Sequence, residues 1–89
     1  MNMRRWELVF KALSNINRLK IIRMLKGNKR MNVSEISDAL KISFMATSRH
    51  LIILRNFEVL QSEGVKNHVV YFINPKLPND FKKIFKAVY

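Results

Sequence analysis

The chain has 89 residues, with 17 Lys and Arg against 6 Asp and Glu, no cysteine, 48% hydrophobic residues and a formal net charge of +11. That length supports one thin hydrophobic core, so a single domain over residues 1–89 is expected, with monomer stability on the order of 5 kcal/mol or less. The lack of cysteine excludes disulfides, thiolate metal sites and cysteine nucleophiles, while the positive excess favours polyanions, nucleic acid before an anionic membrane surface.

The longest apolar run, Val69 to Ile73, is far short of the roughly 20 residues that cross a bilayer. At the start, Glu7 and Lys11 interrupt what would have to be a signal peptide's apolar region. A cytoplasmic, cofactor-free protein is expected, with no membrane partner. The charge is unevenly placed. Residues 1–30 carry nine Lys and Arg against one acid, residues 31–60 three against three, and residues 61–89 five against two.

In chain order, Trp6, Val9, Phe10 and Leu13 fall at helical spacing and predict a first helix over about 2–13. Asn15 can cap a second helix, Ile16 to Lys26, with Leu19, Ile22 and Leu25 inward, and Gly27-Asn28 stops it because both tolerate positive φ. Asn32 to Glu35 has the form of a capping box opening a short third helix, Val33 to about Leu40, with Ile36 and Leu40 buried. After a tight Lys41-Ile42 connection, Ser43 caps a fourth helix on which Thr47, Leu51, Leu54 and Glu58 share a side.

From Val59 the pattern turns to strand: VLQSE, a turn over Gly64 to Asn67, then HVVYFIN. The second of these strands is apolar on both faces and should be covered on both. Pro75 and Pro78 break the chain before a last helix, about 79–89, with Phe81, Ile84, Phe85 and Val88 on one stripe and Lys82, Lys83 and Lys86 on the other side. The fold class is therefore mainly α with a small β-hairpin, in the order helix, helix, helix, helix, hairpin, helix.

A short helix, a tight turn and a longer helix with polar early turns form a helix-turn-helix, whose second helix can present its first residues to a major groove. The hairpin after it, with Lys66, Asn67 and His68 near the tip, can serve as a wing. For catalysis there is no nucleophile paired with a base, no Gly-rich phosphate loop and no metal triad, so an enzyme is not expected.

The run from Lys11 to Pro75 resembles the ArsR/SmtB family of winged-helix regulators. The resemblance rests on Asn15 and Arg18, on Val33, Glu35 and Leu40, on Ser48-Arg49-His50-Leu51 with Leu54-Arg55, and on Tyr71. It implies a homodimer built from the terminal helices that binds a pseudo-palindromic double-stranded DNA operator as a repressor in the prokaryotic nucleoid. On that analogy Ser43, Phe44, Met45, Ala46, Arg49 and His50 face the major groove. Asn15, Asn17, Arg18, Lys41, Arg55, Lys66, Asn67 and His68 reach phosphates or form the wing contact.

His50 also has the reading of a side chain packed against the wing. Trp6, Val9, Phe10, Phe81, Ile84, Phe85 and Val88 form the expected dimer interface, though each stripe could equally serve the chain's own core. With two stripes on a small chain, at least one should meet a partner.

The family's metal sensing does not carry over. Asn32, Ser34 and Ser37 stand where its thiolate site begins, and an amide with two hydroxyls is a poor ligand set for soft metals. No metal site is expected, and the effector is left open. Glu58 stands where the family often has glycine, so strained backbone is expected there. The alternatives are a winged-helix protein-interaction module, with Phe44 and Met45 as an apolar contact patch, and a nonspecific duplex-DNA-binding protein.

Overall fold

A computed structural model describes residues 3–77 and 79–88, for residues 80 and 88 the backbone alone. Five helices and three strands follow as α1 (Met3–Leu13), α2 (Ile16–Met24), β1 (Met31–Asn32), α3 (Val33–Leu40), α4 (Phe44–Asn56), β2 (Leu60–Val65), β3 (His68–Ile73) and α5 (Asn79–Val88). Residues 2 and 89, expected as the outer ends of the terminal helices, lie outside the described residues.

Local chemistry places most helix boundaries. The Oδ1 of Asn15 accepts from the backbone N–H groups of Asn17 at 2.9 Å and Arg18 at 3.2 Å, starting α2. At α3 the capping box is reciprocal: Asn32 Oδ1 accepts from the Glu35 N–H at 2.8 Å, and Glu35 Oε1 accepts from the Asn32 N–H at 2.9 Å. Ser43 Oγ accepts from the Ala46 N–H at 3.0 Å and opens α4.

Helix α2 ends two residues earlier than Lys26, because Leu25 leaves helical geometry at φ −93°, ψ 6°, before Gly27 and Asn28 enter the left-handed region at φ 73° and 62°. Lys41 closes α3 in the same region at φ 59°. Glu58, which the periodicity put on the buried side of α4, instead follows that helix at φ 61° and is exposed.

The sheet is antiparallel in the order β1-β3-β2. Leu60 pairs with Ile73 and Val65 with His68, so β2 runs through Gly64 and the turn narrows to Lys66-Asn67. The two-residue β1, with Met31 opposite Tyr71, is an addition that no sequence pattern marked. On β3, Tyr71 is buried but Val69 is 47% exposed, so the strand is not covered on both faces along its length: its first residues project beyond the body as part of the wing.

One core joins the elements. Val9 and Leu13 from α1, Ile21 and Ile22 from α2, Ile36 from α3, Leu51 and Leu54 from α4, Val59 and Leu60, Tyr71, Leu77, and Phe81 and Phe85 from α5 are all buried in it. Thr47 is fully buried among them, and its hydroxyl donates to the Ser43 carbonyl at 2.9 Å, which satisfies the one polar atom it brings inside. The result is a winged helix-turn-helix.

Candidate nucleic-acid interface

Helix α4 is held by one side and presents the other. Thr47, Leu51 and Leu54 are buried, and the residues most nearly opposite them around the helix, Met45, Arg49, Ile52 and Asn56, are exposed. Arg49 Nη2 reaches back one turn to Met45 Sδ at 3.6 Å, so the guanidinium lies along this outward stripe. Met45 is 64% exposed and Phe44 58%, unusual for residues of their size. Ile52 and Asn56 belong to the stripe and escaped the sequence reading, although counting seven and eleven residues on from Met45 finds them.

Phe44 lies toward the wing. It lines a cleft of about 200 Å³ shared with the start of α3 at Asn32 to Ser34 and with Asn67, His68 and Val69 of the hairpin. The wing tip, Lys66, Asn67 and His68, is exposed, and Lys66 takes φ 55°. Two arginines brace the wing against the body. Arg30 forms an ion pair with Glu63 and places its guanidinium 4.0 Å from the centre of the Phe72 ring, and Arg55 Nη1 donates to Ser62 Oγ at 3.4 Å.

Arg18 and His50 are engaged with each other and with α1. The Arg18 Nε–H donates to the Ala12 carbonyl, and Nη1 lies 3.2 Å from His50 Nδ1. Burial first, and then the adjacent Arg18 charge, hold the His50 pKa below its ordinary value. These two side chains thus face each other between α2 and α4. Both side chains are half-buried, and His50 stands off the outward stripe of α4.

The remaining expected contacts divide by exposure. Lys41, at the α3–α4 turn, is exposed, and Asn17 is half-buried. Asn15 and Ser43 use their side-chain oxygens as caps, and Ala46 is half-buried.

On the dimer list, Val9, Phe81 and Phe85 are 0–1% exposed inside the chain's own core and have no surface to offer a partner. Phe10 is 52% exposed, while Trp6 and Ile84 are half-buried. Trp6 stacks between Phe10 and Phe81, at centroid distances of 5.3 and 4.4 Å. The Val88 side chain lies outside the described residues.

Among the described residues, no three His, Asp or Glu side chains lie close enough to share a metal ion, and no helix is long and apolar enough to cross a membrane.

Comparison with known proteins fits this geometry. Residues 15–62, from the cap of α2 into β2, match the family described as bacterial regulatory protein, arsR family. The transcriptional repressor SdpR of Bacillus subtilis is 35% identical over 72 residues, covering 81% of this chain and 79% of that protein. Reduced HlyU from Vibrio cholerae superposes with a TM-score of 0.83 at 26% identity, over 98% of this chain and 87% of that one. The homodimeric winged helix-turn-helix DNA-binding domain of Mb0332 from Mycobacterium bovis has the same fold, with a TM-score of 0.81 at 23% identity over 97% and 76%.

Proposed function

Because the chain belongs to the ArsR family of bacterial regulatory proteins, we propose that it is a homodimeric, sequence-specific double-stranded DNA-binding repressor that works without sensing a metal. The carrying observation is the outward stripe of α4, with Met45 and Arg49 exposed beside a wing whose tip holds Lys66, Asn67 and His68. A helix in a major groove reads base edges with such a stripe, while an adjacent hairpin contacts the backbone.

Arg49 is the hydrogen-bonding reader, suited to a guanine edge or a phosphate. Phe44 and Met45 have no hydrogen bonds to give and read by apolar contact, as with thymine methyl groups. Lys41, Arg55, Lys66 and Asn17 supply phosphate contacts. Repression is supported by the likeness to SdpR.

Dimer formation is supported by Phe10, an exposed aromatic next to the half-buried Trp6, and by the homodimeric state of Mb0332. Metal-free operation is supported at α3, where Asn32 and Glu35 are engaged in the cap and Ser37 Oγ donates to the Ser34 carbonyl at 3.0 Å. The residues 1–89 act as one DNA-binding unit whose terminal helices carry the dimer contact.

Selection of bound sequences from a random duplex library, with purified protein and no added metal, tests the reading. Recovery of a two-fold symmetric site is the expected result. Uniform affinity for all duplexes identifies a nonspecific DNA-binding protein, and absence of duplex binding leaves the exposed Phe44 and Met45 as a protein-contact patch.

A further inference from the structure

Away from α4 and the wing, an open pocket of about 310 Å³ lies between the end of β3, the following loop and α5. Its floor is apolar, made by Ile73, Pro75, Leu77 and Phe85, and its wall is the Gly27-Asn28 turn after α2. Lys82 and Lys86 stand on its rim, both exposed, and neither makes an ion pair among the described residues. The volume is at the lower end of the range of about 300 to 1,000 Å³ typical of small-molecule sites.

From this arrangement we infer that the pocket is an effector site for a small amphipathic anion, with a carboxylate held by Lys82 and Lys86 and an acyl or similar body laid on Ile73, Leu77 and Phe85. Two ammonium groups that form no ion pair among the described residues, set beside an apolar floor, suit such a molecule better than a cation, which they repel, or a neutral hydrocarbon, which leaves them unused. The position suits a dimer as well. At 3.6 residues per turn, Lys82 and Lys86 share one flank of α5 and Ile84 falls nearly opposite, so a partner seated on Ile84 and Phe10 leaves the pocket open.

The pocket also touches the base of the reading elements. Asn74, which lines it, donates its backbone N–H to the Val59 carbonyl at 3.0 Å and its side-chain amide to the Glu58 carbonyl at 2.9 Å. These bonds tie the end of β3 to the segment joining α4 to the wing. An occupant that shifts Asn74 therefore moves the base of the wing relative to α4. This regulatory half rests on the DNA-binding reading, whereas the binding half does not.

The test uses the full chain and decanoate below its micellar concentration, with decanol and decyltrimethylammonium as controls for the head group. Calorimetry and amide chemical-shift mapping should show decanoate binding with shifts centred on Ile73, Leu77 and Phe85, and weak or no binding of the controls. The double variant Lys82→Gln with Lys86→Gln should weaken decanoate about tenfold or more, as loss of charge-assisted bonds predicts. Lys83→Gln, which removes the same charge from α5 outside the pocket, should change it less than about twofold.

Equal binding of decanol, equal weakening by Lys83→Gln, or shifts centred elsewhere overturns the site. Decanoate should also change duplex affinity in the wild type but not in the double variant. Binding to the pocket with no change in duplex affinity overturns the effector role. A protein that binds decanoate but no DNA overturns the proposed function and leaves the site standing.

Discussion

The Arg18 guanidinium on α2 lies 3.2 Å from Nδ1 of His50 on α4, while its Nε–H is bonded to the Ala12 carbonyl at the end of α1. One side chain thus links three helices, among them α4, the helix proposed to read DNA. Arginine only donates, so the contact is a hydrogen bond when Nδ1 of a neutral His50 accepts, which is the tautomer with its proton on Nε2. Arg18→Ala should cost about 1 to 2 kcal/mol of stability and weaken operator binding, with a salt slope closer to wild type than that of a lost phosphate contact. A slope lowered by about one unit would instead place Arg18 on a phosphate.

The same pair predicts a pH dependence. Burial and the Arg18 charge lower the His50 pKa from 6.5, so the unfolded chain takes up its proton before the folded one does. The contribution is fully present above about 6.5 and is lost as pH falls from there toward the folded-state value. Chemical denaturation between pH 8 and 5 should show this decline in the wild type and a flatter profile in His50→Gln. Identical profiles would remove His50 as the cause.

Arg49→Ala should leave stability within about 0.5 kcal/mol, since the side chain is exposed. Operator affinity should fall by about 1 to 3 kcal/mol where Arg49 reads a guanine, with relaxed preference at one position of each half-site. Binding titrations across a salt series, with the matched and singly altered operator, separate this from a uniform loss through a phosphate.

Phe10 and Phe85 should respond in opposite ways. Phe10 is 52% exposed, so Phe10→Ser should lower dimer affinity in sedimentation equilibrium while each protomer stays folded. Phe85 is buried in the core, and Phe85→Ala should cost about 3 to 5 kcal/mol in any oligomeric state. An unchanged dimer in Phe10→Ser would move the interface elsewhere.

Glu58 holds φ 61°, a conformation that costs about 1 kcal/mol with a side chain and little with glycine. Against that, glycine adds entropy to the unfolded chain and Glu58 loses its ion pair with Arg5 at 3.4 Å, an exposed contact of small value. Glu58→Gly is expected to raise stability by about 0.5 kcal/mol in denaturant titrations.

The parts of the fold legible in the sequence are those governed by neighbours a few residues apart. The caps at Asn15, Asn32 and Ser43 needed only the next three residues, and the buried side of α4 followed from the spacing of Thr47, Leu51 and Leu54. The exposure of Met45 could be anticipated from the same periodicity, whereas Phe44 falls within about 60° of Thr47 on the buried side and is left exposed only because α4 begins there, beside the cleft to the wing. β1 could not be anticipated, because two residues carry no period, and their pairing depends on Tyr71 and Val70, about forty positions away.

By itself, then, the sequence determined the order of the five helices and the hairpin, the helix-turn-helix with its wing and the basic character, since periodicity, capping and charge are properties of the chain read locally. Tertiary structure alone decided which apolar residues of the terminal helices are core and which remain at the surface. It set Arg18 against His50, exposed the outer half of the wing and opened the Lys82 and Lys86 pocket. Those outcomes come from close packing of segments far apart in sequence, where the space left by one element decides which side chain of another is buried and which is left to meet a partner.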